Sequence, residues 1–332
     1  MTAGVDTGAR PASAGRAPGA PPGEGAEELL RLRGVVKNFG PVRALNAVDL
    51  TVPAGQVTAL VGDNGAGKST LIKTISGIWP LDEGEMRWNG KPVHLHSPRD
   101  ATDLGIATVY QDLALCDNLD IVANMFLGRE PLSGVLLDES HMELQAKATL
   151  TDLHVTTVRS IRQPVGSLSG GQRQAVAVAK AVMQNAQLVI MDEPTAALGV
   201  SQTEMVLGLI ERLSSRGIAV LVISHNLSDV FRVADRLAVL YLGRLVSEGP
   251  IADYDTQRAV ELITTGMTTS AADGRRAAPD ASAGPGDGRR AALEIPAGGR
   301  AAAPAGDRAA PAGDRADPAP APTGDTDDEG EH

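Results

Sequence analysis

Residues 57–75 read Val-Thr-Ala-Leu-Val, then Gly-Asp-Asn-Gly-Ala-Gly-Lys-Ser-Thr, then Leu-Ile-Lys-Thr-Ile. The first five are a continuous apolar run of the kind that forms a buried strand, and a helix is expected to start near Lys68. Between strand and helix, Gly62, Asp63, Asn64, Gly65, Ala66, Gly67, Lys68, Ser69 and Thr70 fit the phosphate-loop pattern G-x-x-x-x-G-K-[ST]. Strand, loop, helix is the order that pattern requires, and it implies an α/β protein. Glycines at 62, 65 and 67 let the backbone turn so that successive N–H groups point at the β- and γ-phosphates of a nucleotide, while the helix dipole favours the anion. Lys68 is expected to reach those phosphates, and the Ser69 hydroxyl to ligate Mg²⁺. The competing reading is a glycine-rich turn with an incidental Lys-Ser.

A second element decides between them. Leu188-Val189-Ile190-Met191-Asp192-Glu193 is an apolar run ending in two carboxylates and closed by Pro194. A parallel strand beside the phosphate loop delivers Asp192 to the Mg²⁺ shell, and Glu193, one residue on, polarises the attacking water. Two acids at a strand end are commonly just a solvated terminus. Coupled to a phosphate loop they point to nucleotide hydrolysis.

About a hundred residues after the loop stands Leu168-Ser169-Gly170-Gly171-Gln172. With these three motifs the chain resembles an ATP-binding-cassette (ABC) ATPase over residues 29–266. The resemblance implies a P-loop NTPase of ABC type: a RecA-like α/β core, an antiparallel β subdomain and an inserted helical subdomain. It also implies roles. Phe39 lies where the family stacks an aromatic on adenine. Gln111, after the run Ile106 to Tyr110, matches the glutamine that senses Mg²⁺ and contacts the transporter's membrane part. Ser169, Gly170, Gly171 and Gln172 match the signature that closes over the γ-phosphate of the opposite subunit's nucleotide, and His225, after Ala219 to Ser224, matches the switch histidine. Cofactors are then ATP and Mg²⁺, with Lys68, Gln111, Glu193 and His225 catalytic and Ser69, Gln111 and Asp192 on the metal. The run from Arg173 to Ala181 is a good helix former, so the signature's helix aims its N-terminus at an anion. One position departs from the family pattern: Gly199 stands where an aspartate normally contacts the other subunit, which puts the coupling between the two sites in doubt.

Five segments narrow the resemblance: 39–45, 62–67, 97–101, 111–115 and 124–130 together look like the ATP-binding subunits of monosaccharide importers of the ribose, xylose and fructose type. That implies a peripheral protein at the cytoplasmic face of the membrane, paired with a second ATPase copy and with membrane-spanning permease subunits, and served by an extracytoplasmic sugar-binding protein. The alternatives are a cassette for another solute, a soluble cassette acting in DNA repair or translation, and a purely structural nucleotide-binding role. The long coiled-coil insertion of repair cassettes and the tandem cassettes of translational ones are both missing from the sequence, and intact Glu193 and His225 disfavour the last.

Composition is consistent. In 332 residues, 42% are apolar, enough for a packed core. A formal charge of −11 argues against a nucleic-acid partner. Apolar runs fall short of the roughly 20 residues that span a bilayer, and the N-terminus lacks a signal-like stretch. The single cysteine, Cys116, excludes an intramolecular disulfide and reads as a small buried residue.

The ends differ from the middle. Residues 1–26 and 268–332 are rich in Ala, Pro, Gly, Arg and Asp, with Ala-Ala-Pro-Ala-Gly-Asp-Arg occurring at 302–308 and again at 309–315. Such segments bury too little apolar surface to offset ordering entropy and are expected to be disordered, the second as an acidic, solvated tail. Between them lies the ATPase domain, 27–267. Within it, 29–63 and 84–95 look like short antiparallel strands and turns, 115–165 like the helical subdomain with a helix over 142–150, and 186 onward like alternating strands and helices, with Gly243-Arg244 turning a terminal hairpin. His94 and His96 lack further ligand partners at suitable spacing. Trp79 and Trp88 read as packing or surface residues.

Overall fold

The computed structural model describes residues 27–155 and 157–267, so both low-complexity ends lie outside the described residues. The chain opens with β1 (Glu28–Phe39) and β2 (Val42–Pro53), an antiparallel ribbon turned at Gly40 and Pro41. Alternate residues, Leu30 and Leu32 on β1 and Val48, Leu50 and Val52 on β2, bury on one face. These strands are twelve residues each rather than short. Register shifts between Leu32 and Asn38 let the long ribbon curl without breaking its pairing. Residues 57–61, inside the stretch read as antiparallel, form β3 (Val57–Val61) in a different, parallel sheet, and all five are buried.

After the phosphate loop comes α1 (Lys68–Ile75), which buries Leu71, Ile72 and Ile75. β4 (Glu83–Trp88) and β5 (Lys91–Val93) turn at Asn89-Gly90, with φ of 48° and 73°, the pair of positive angles a tight hairpin needs. They complete a sheet in the order β2-β1-β4-β5. His94 and His96 lie beyond the end of β5, not on a strand. α2 (Pro98–Asp103) starts from a reciprocal Ser97–Asp100 capping box, and β6 (Ile106–Val109) leads to Gln111.

A helical layer follows. α3 (Ile121–Phe126) is capped by Asp120, and α4 (Glu139–Asp152) by Asp138. α4 buries Met142, Ala146 and Leu150, a four-residue spacing that puts one stripe against its neighbours. Between them a small hairpin, β7 (Leu132–Ser133) and β8 (Leu136–Leu137), stands where only helix was expected. α5 (Gly170–Met183) packs against α3 and α4 and buries Ala175, Val176, Val178 and Ala179. Arg162, ahead of α5, ion-pairs with Asp120, Glu139 and Glu143 at 3.1, 2.8 and 2.6 Å, tying the segment that leads to Ser169 onto this layer.

The chain then alternates: β9 (Leu188–Asp192), α6 (Val200–Ser215), β10 (Ala219–Ile223), α7 (Leu227–Val233), β11 (Arg236–Tyr241), β12 (Arg244–Pro250) and α8 (Thr256–Thr265). The main sheet runs β12-β11-β3-β10-β9-β6, parallel except for β12. The carboxylate-bearing β9 is therefore not beside the phosphate-loop strand, because β10 lies between them. Period-two alternation divides the sheet's side chains between two cores. Val57, Ala59 and Val61 join Val189, Met191, Val220 and Val222 under the helices, while Leu60 joins Ile190, Leu221 and Ile223 beneath α1 and the antiparallel sheet.

Candidate active site

Parallel strands all present their carboxyl ends to one edge, so the loops after β3, β6, β9 and β10 meet there. They enclose an open cavity of about 660 Å³ lined by Asn64, Gly65, Gly67, Lys68, Ser69 and Thr70 of the loop, with Gln111, Asp192, Glu193 and His225. Six residues of the phosphate loop and the four groups expected from other strands thus share one space.

The loop's glycines are steric requirements. Gly67 has φ +105°, and a β-carbon there would lie 2.8 Å from the Ala44 carbonyl; one at Gly62 would lie 2.3 Å from the Leu240 carbonyl. Lys68 Nζ donates to the carbonyls of Gly62 and Asp63 at 2.7 and 3.0 Å, holding the loop closed on itself. The Asp63 carboxylate accepts from Asn64 N–H at 2.7 Å, and the Asp63 carbonyl from Ala66 N–H at 3.1 Å. Gly62, Asp63 and Ala66 shape the loop without lining the cavity.

Across from the loop, the pairing of β9 with β10 ends at Asp192 and Ile223, and Glu193 N–H donates to the Ile223 carbonyl at 2.9 Å. His225 Nδ1 and Glu193 Oε2 are 2.8 Å apart, with the carboxylate mostly covered and the imidazole exposed. Burial pushes the Asp192 carboxyl up, the Glu193 charge adds to this, and Lys68 and Lys73 oppose it. A carboxyl raised by folding holds its proton longer in the folded than in the unfolded chain, so stability falls as pH rises through the carboxylate range. Asp192→Asn is therefore expected to raise the melting temperature of the metal-free protein at neutral pH and to flatten its pH dependence. Melting curves in chelator across that range check this; a lower melting temperature for the Asn variant would contradict it.

Other predicted residues sit apart. Ser169 caps α5, accepting from Gln172 N–H at 3.4 Å, while the Gln172 side chain accepts from Ser169 N–H at 2.9 Å and donates to the Thr157 carbonyl at 2.7 Å. Gly170 packs on Leu198, just before α6, and both Gly170 and Gly171 on Gln202 in its first turn. None of these four lines the cavity, nor does Phe39. The Phe39 ring stands edge-on to Trp79 with centroids 4.7 Å apart, and the Lys73 ammonium lies 4.7 Å from the Trp79 ring centre. Residues not foreseen complete the wall: Val42, Arg43 and Ala44 on β2, Ala196, and Leu242 and Gly243 in the β11–β12 turn. Gly243 N–H donates to the Ala66 carbonyl, so this turn buttresses the phosphate loop.

Residues 45–196 match the ABC transporter family. Over 245 residues the chain is 48% identical to a fructose import ATP-binding protein of Rhizobium meliloti, covering 72% of this chain and 94% of that one. The chain belongs to the ABC transporter family. This ABC ATPase is also 44% identical to a xylose/arabinose import ATP-binding protein of Sulfolobus acidocaldarius, covering 72% of this chain and 94% of the relative. A ribose import ATP-binding protein of Rubrobacter xylanophilus is 41% identical over 74% of this chain, but that match spans only 47% of the relative. Among solved structures, the cassette MJ1267 of an ABC transporter superposes with a TM-score of 0.63 at 30% identity, over 71% of this chain and 98% of that one. The loop, the strand-end carboxylates and the histidine thus line one cavity in a chain of this family.

Proposed function

We propose that this chain is the ATP-hydrolysing subunit of a monosaccharide importer, working as a pair of copies on the cytoplasmic face of a membrane. The observation that carries the chemistry is the Glu193–His225 pair facing Lys68 across one cavity. The sugar assignment draws support from the two relatives matched over 94% of their length, both import ATP-binding proteins for sugars.

The oxygen donors fit a hard divalent cation: the Ser69 hydroxyl, the Gln111 amide and a carboxylate, Asp192, whose charge costs most without one. These residues would hold Mg²⁺, which would offset phosphate charge when bound. The chain's own groups supply the rest. Loop N–H groups and the start of α1 cradle the phosphates, and Lys68 exchanges its two carbonyl partners for phosphate oxygens. Glu193 orients the attacking water for in-line displacement, and His225 donates to the γ-phosphate, with their mutual contact keeping both aimed. Phe39, buttressed by Trp79, offers an aromatic face for the base.

Among the described residues no helix is long and apolar enough to cross a membrane. Attachment then comes through permease subunits. Leu132, Val135, Leu136 and Leu137 of the small hairpin are exposed and flanked by Glu130, Asp138 and Glu139, a surface complementary to apolar segments bordered by the Lys and Arg of cytoplasmic permease loops. Cells lacking the chain are expected to lose uptake of one labelled monosaccharide, regained with the wild-type chain and not with Lys68→Ala. If fructose, xylose and ribose all enter normally while another solute does not, the sugar reading gives way to that solute.

A further inference from the structure

Glu193 follows β9 and His225 follows β10, so their 2.8 Å contact depends on two separate loops keeping a fixed relation. Strand pairing alone does not secure it, because the ladder ends at Asp192 and Ile223, one residue before Glu193 and two before His225. Beyond it the backbone turns sharply: Glu193 has φ +50° and Ala197 +59°, a left-handed conformation that residues with a β-carbon keep only when their surroundings hold them. Inside the turn, Ala196 N–H donates to the Glu193 carbonyl and Leu198 N–H to the Thr195 carbonyl. From the turn outward, Thr195 Oγ1 donates to Asp229 Oδ2 at 2.7 Å in a partly buried setting. Asp229 lies in the first turn of α7, the helix that begins directly after His225 and Asn226.

We propose that Thr195 and Asp229 are positioning residues for hydrolysis, their hydrogen bond fixing the Glu193 turn against α7 and so keeping the Glu193–His225 pair in register with the phosphate loop. The proposal rests on the reading of that pair as hydrolytic. Neither Thr195 nor Asp229 lines the cavity, so substrate contact does not account for them. A hydroxyl on a carboxylate makes a short, directional bond, the kind that locks one rotamer on each side. It joins the two loops whose separation sets the geometry of the chemistry.

The test measures steady-state phosphate release by the full chain carrying Thr195→Val, Thr195→Ser, Asp229→Ala and the Val/Ala double change, with ATP affinity and melting temperature alongside. Thr195→Val and Asp229→Ala are each expected to lose kcat by roughly tenfold or more, since ångström-scale misplacement of reacting groups is that costly, with KM for ATP within about twofold of wild type. Thr195→Ser keeps the hydroxyl and should restore most of the rate. The double variant should be no slower than the slower single one, because both remove the same bond. A near-wild-type kcat in Thr195→Val overturns the proposal. So does an equal loss in Thr195→Ser, or a loss that tracks falling melting temperature and ATP affinity. Glu193→Gln serves as a separate arm. If it keeps turnover, the hydrolytic reading fails; if it is inactive while Thr195→Val is unimpaired, the positioning proposal alone falls.

Discussion

Glu193→Gln is expected to bind ATP as wild type does and to release phosphate slower by on the order of a hundredfold or more. The substitution keeps the side chain's shape and a hydrogen-bonding oxygen toward His225 but removes the charge that orients and polarises water. Nothing in the phosphate loop changes, so binding is preserved. Lys68→Ala is the opposite case. It deletes the cation and the two hydrogen bonds, at 2.7 and 3.0 Å, that brace the loop through the Gly62 and Asp63 carbonyls, so tight ATP binding is expected to go with it. Phosphate release and nucleotide binding, measured on both variants, separate the two effects. Near-wild-type turnover in Glu193→Gln would remove the mechanism.

The groups in these predictions were legible because each is fixed locally. An apolar run ending in a motif places the loop that carries Lys68, and Asp192, Glu193 and His225, after strand ends, and parallel strands bring such ends to one edge. Sheet order is not local. The expected parallel strand does bring Asp192 to the phosphate loop, but β10, which follows both in sequence, inserts between β9 and the phosphate-loop strand. For the same reason Leu242 and Gly243 were read only as a hairpin turn. Their place in the cavity wall comes from β11 pairing with β3, about 180 residues apart, which no local pattern encodes. Arg43 and Ala44 enter similarly, carried by a ribbon longer than its breaks suggested. The buried stripe of α4 was readable from its spacing, whereas the hairpin next to it, two residues per strand with exposed aliphatics, has neither the length nor the alternation that marks a strand. Gln172, read as part of the nucleotide-facing signature, also caps its own helix, a local role that the Ser169 to Gln172 spacing itself predicts.

Mixing a Lys68→Ala copy with a Ser169→Arg copy is expected to regain turnover from two nearly inactive parents. In one chain the cavity holds the loop, the carboxylates and His225, but Ser169, Gly170 and Gly171 do not line it. If the signature acts on the nucleotide of a second copy, as the family resemblance implies, a two-fold symmetric pair builds two composite sites, each with one chain's loop and the other's signature. In the mixed dimer, one site has both lesions and the other has neither. In such a pair ATP would form part of the interface, so Glu193→Gln with Mg-ATP should elute as a dimer and nucleotide-free protein mostly as a monomer. Ser169→Arg also removes the α5 cap, which costs about 1 kcal/mol, so its melting temperature must be shown to stay high enough for the folded state to dominate. Gly199 caps α6 without a side chain, and a β-carbon there would meet nothing within 4 Å, so the room for the family's aspartate is present and its contact is not. Recovery should therefore be partial, and Gly199→Asp in both copies should strengthen it. An inactive mixture in which heterodimers demonstrably form would mean that both sites must fire together, or that the natural partner is a different cassette.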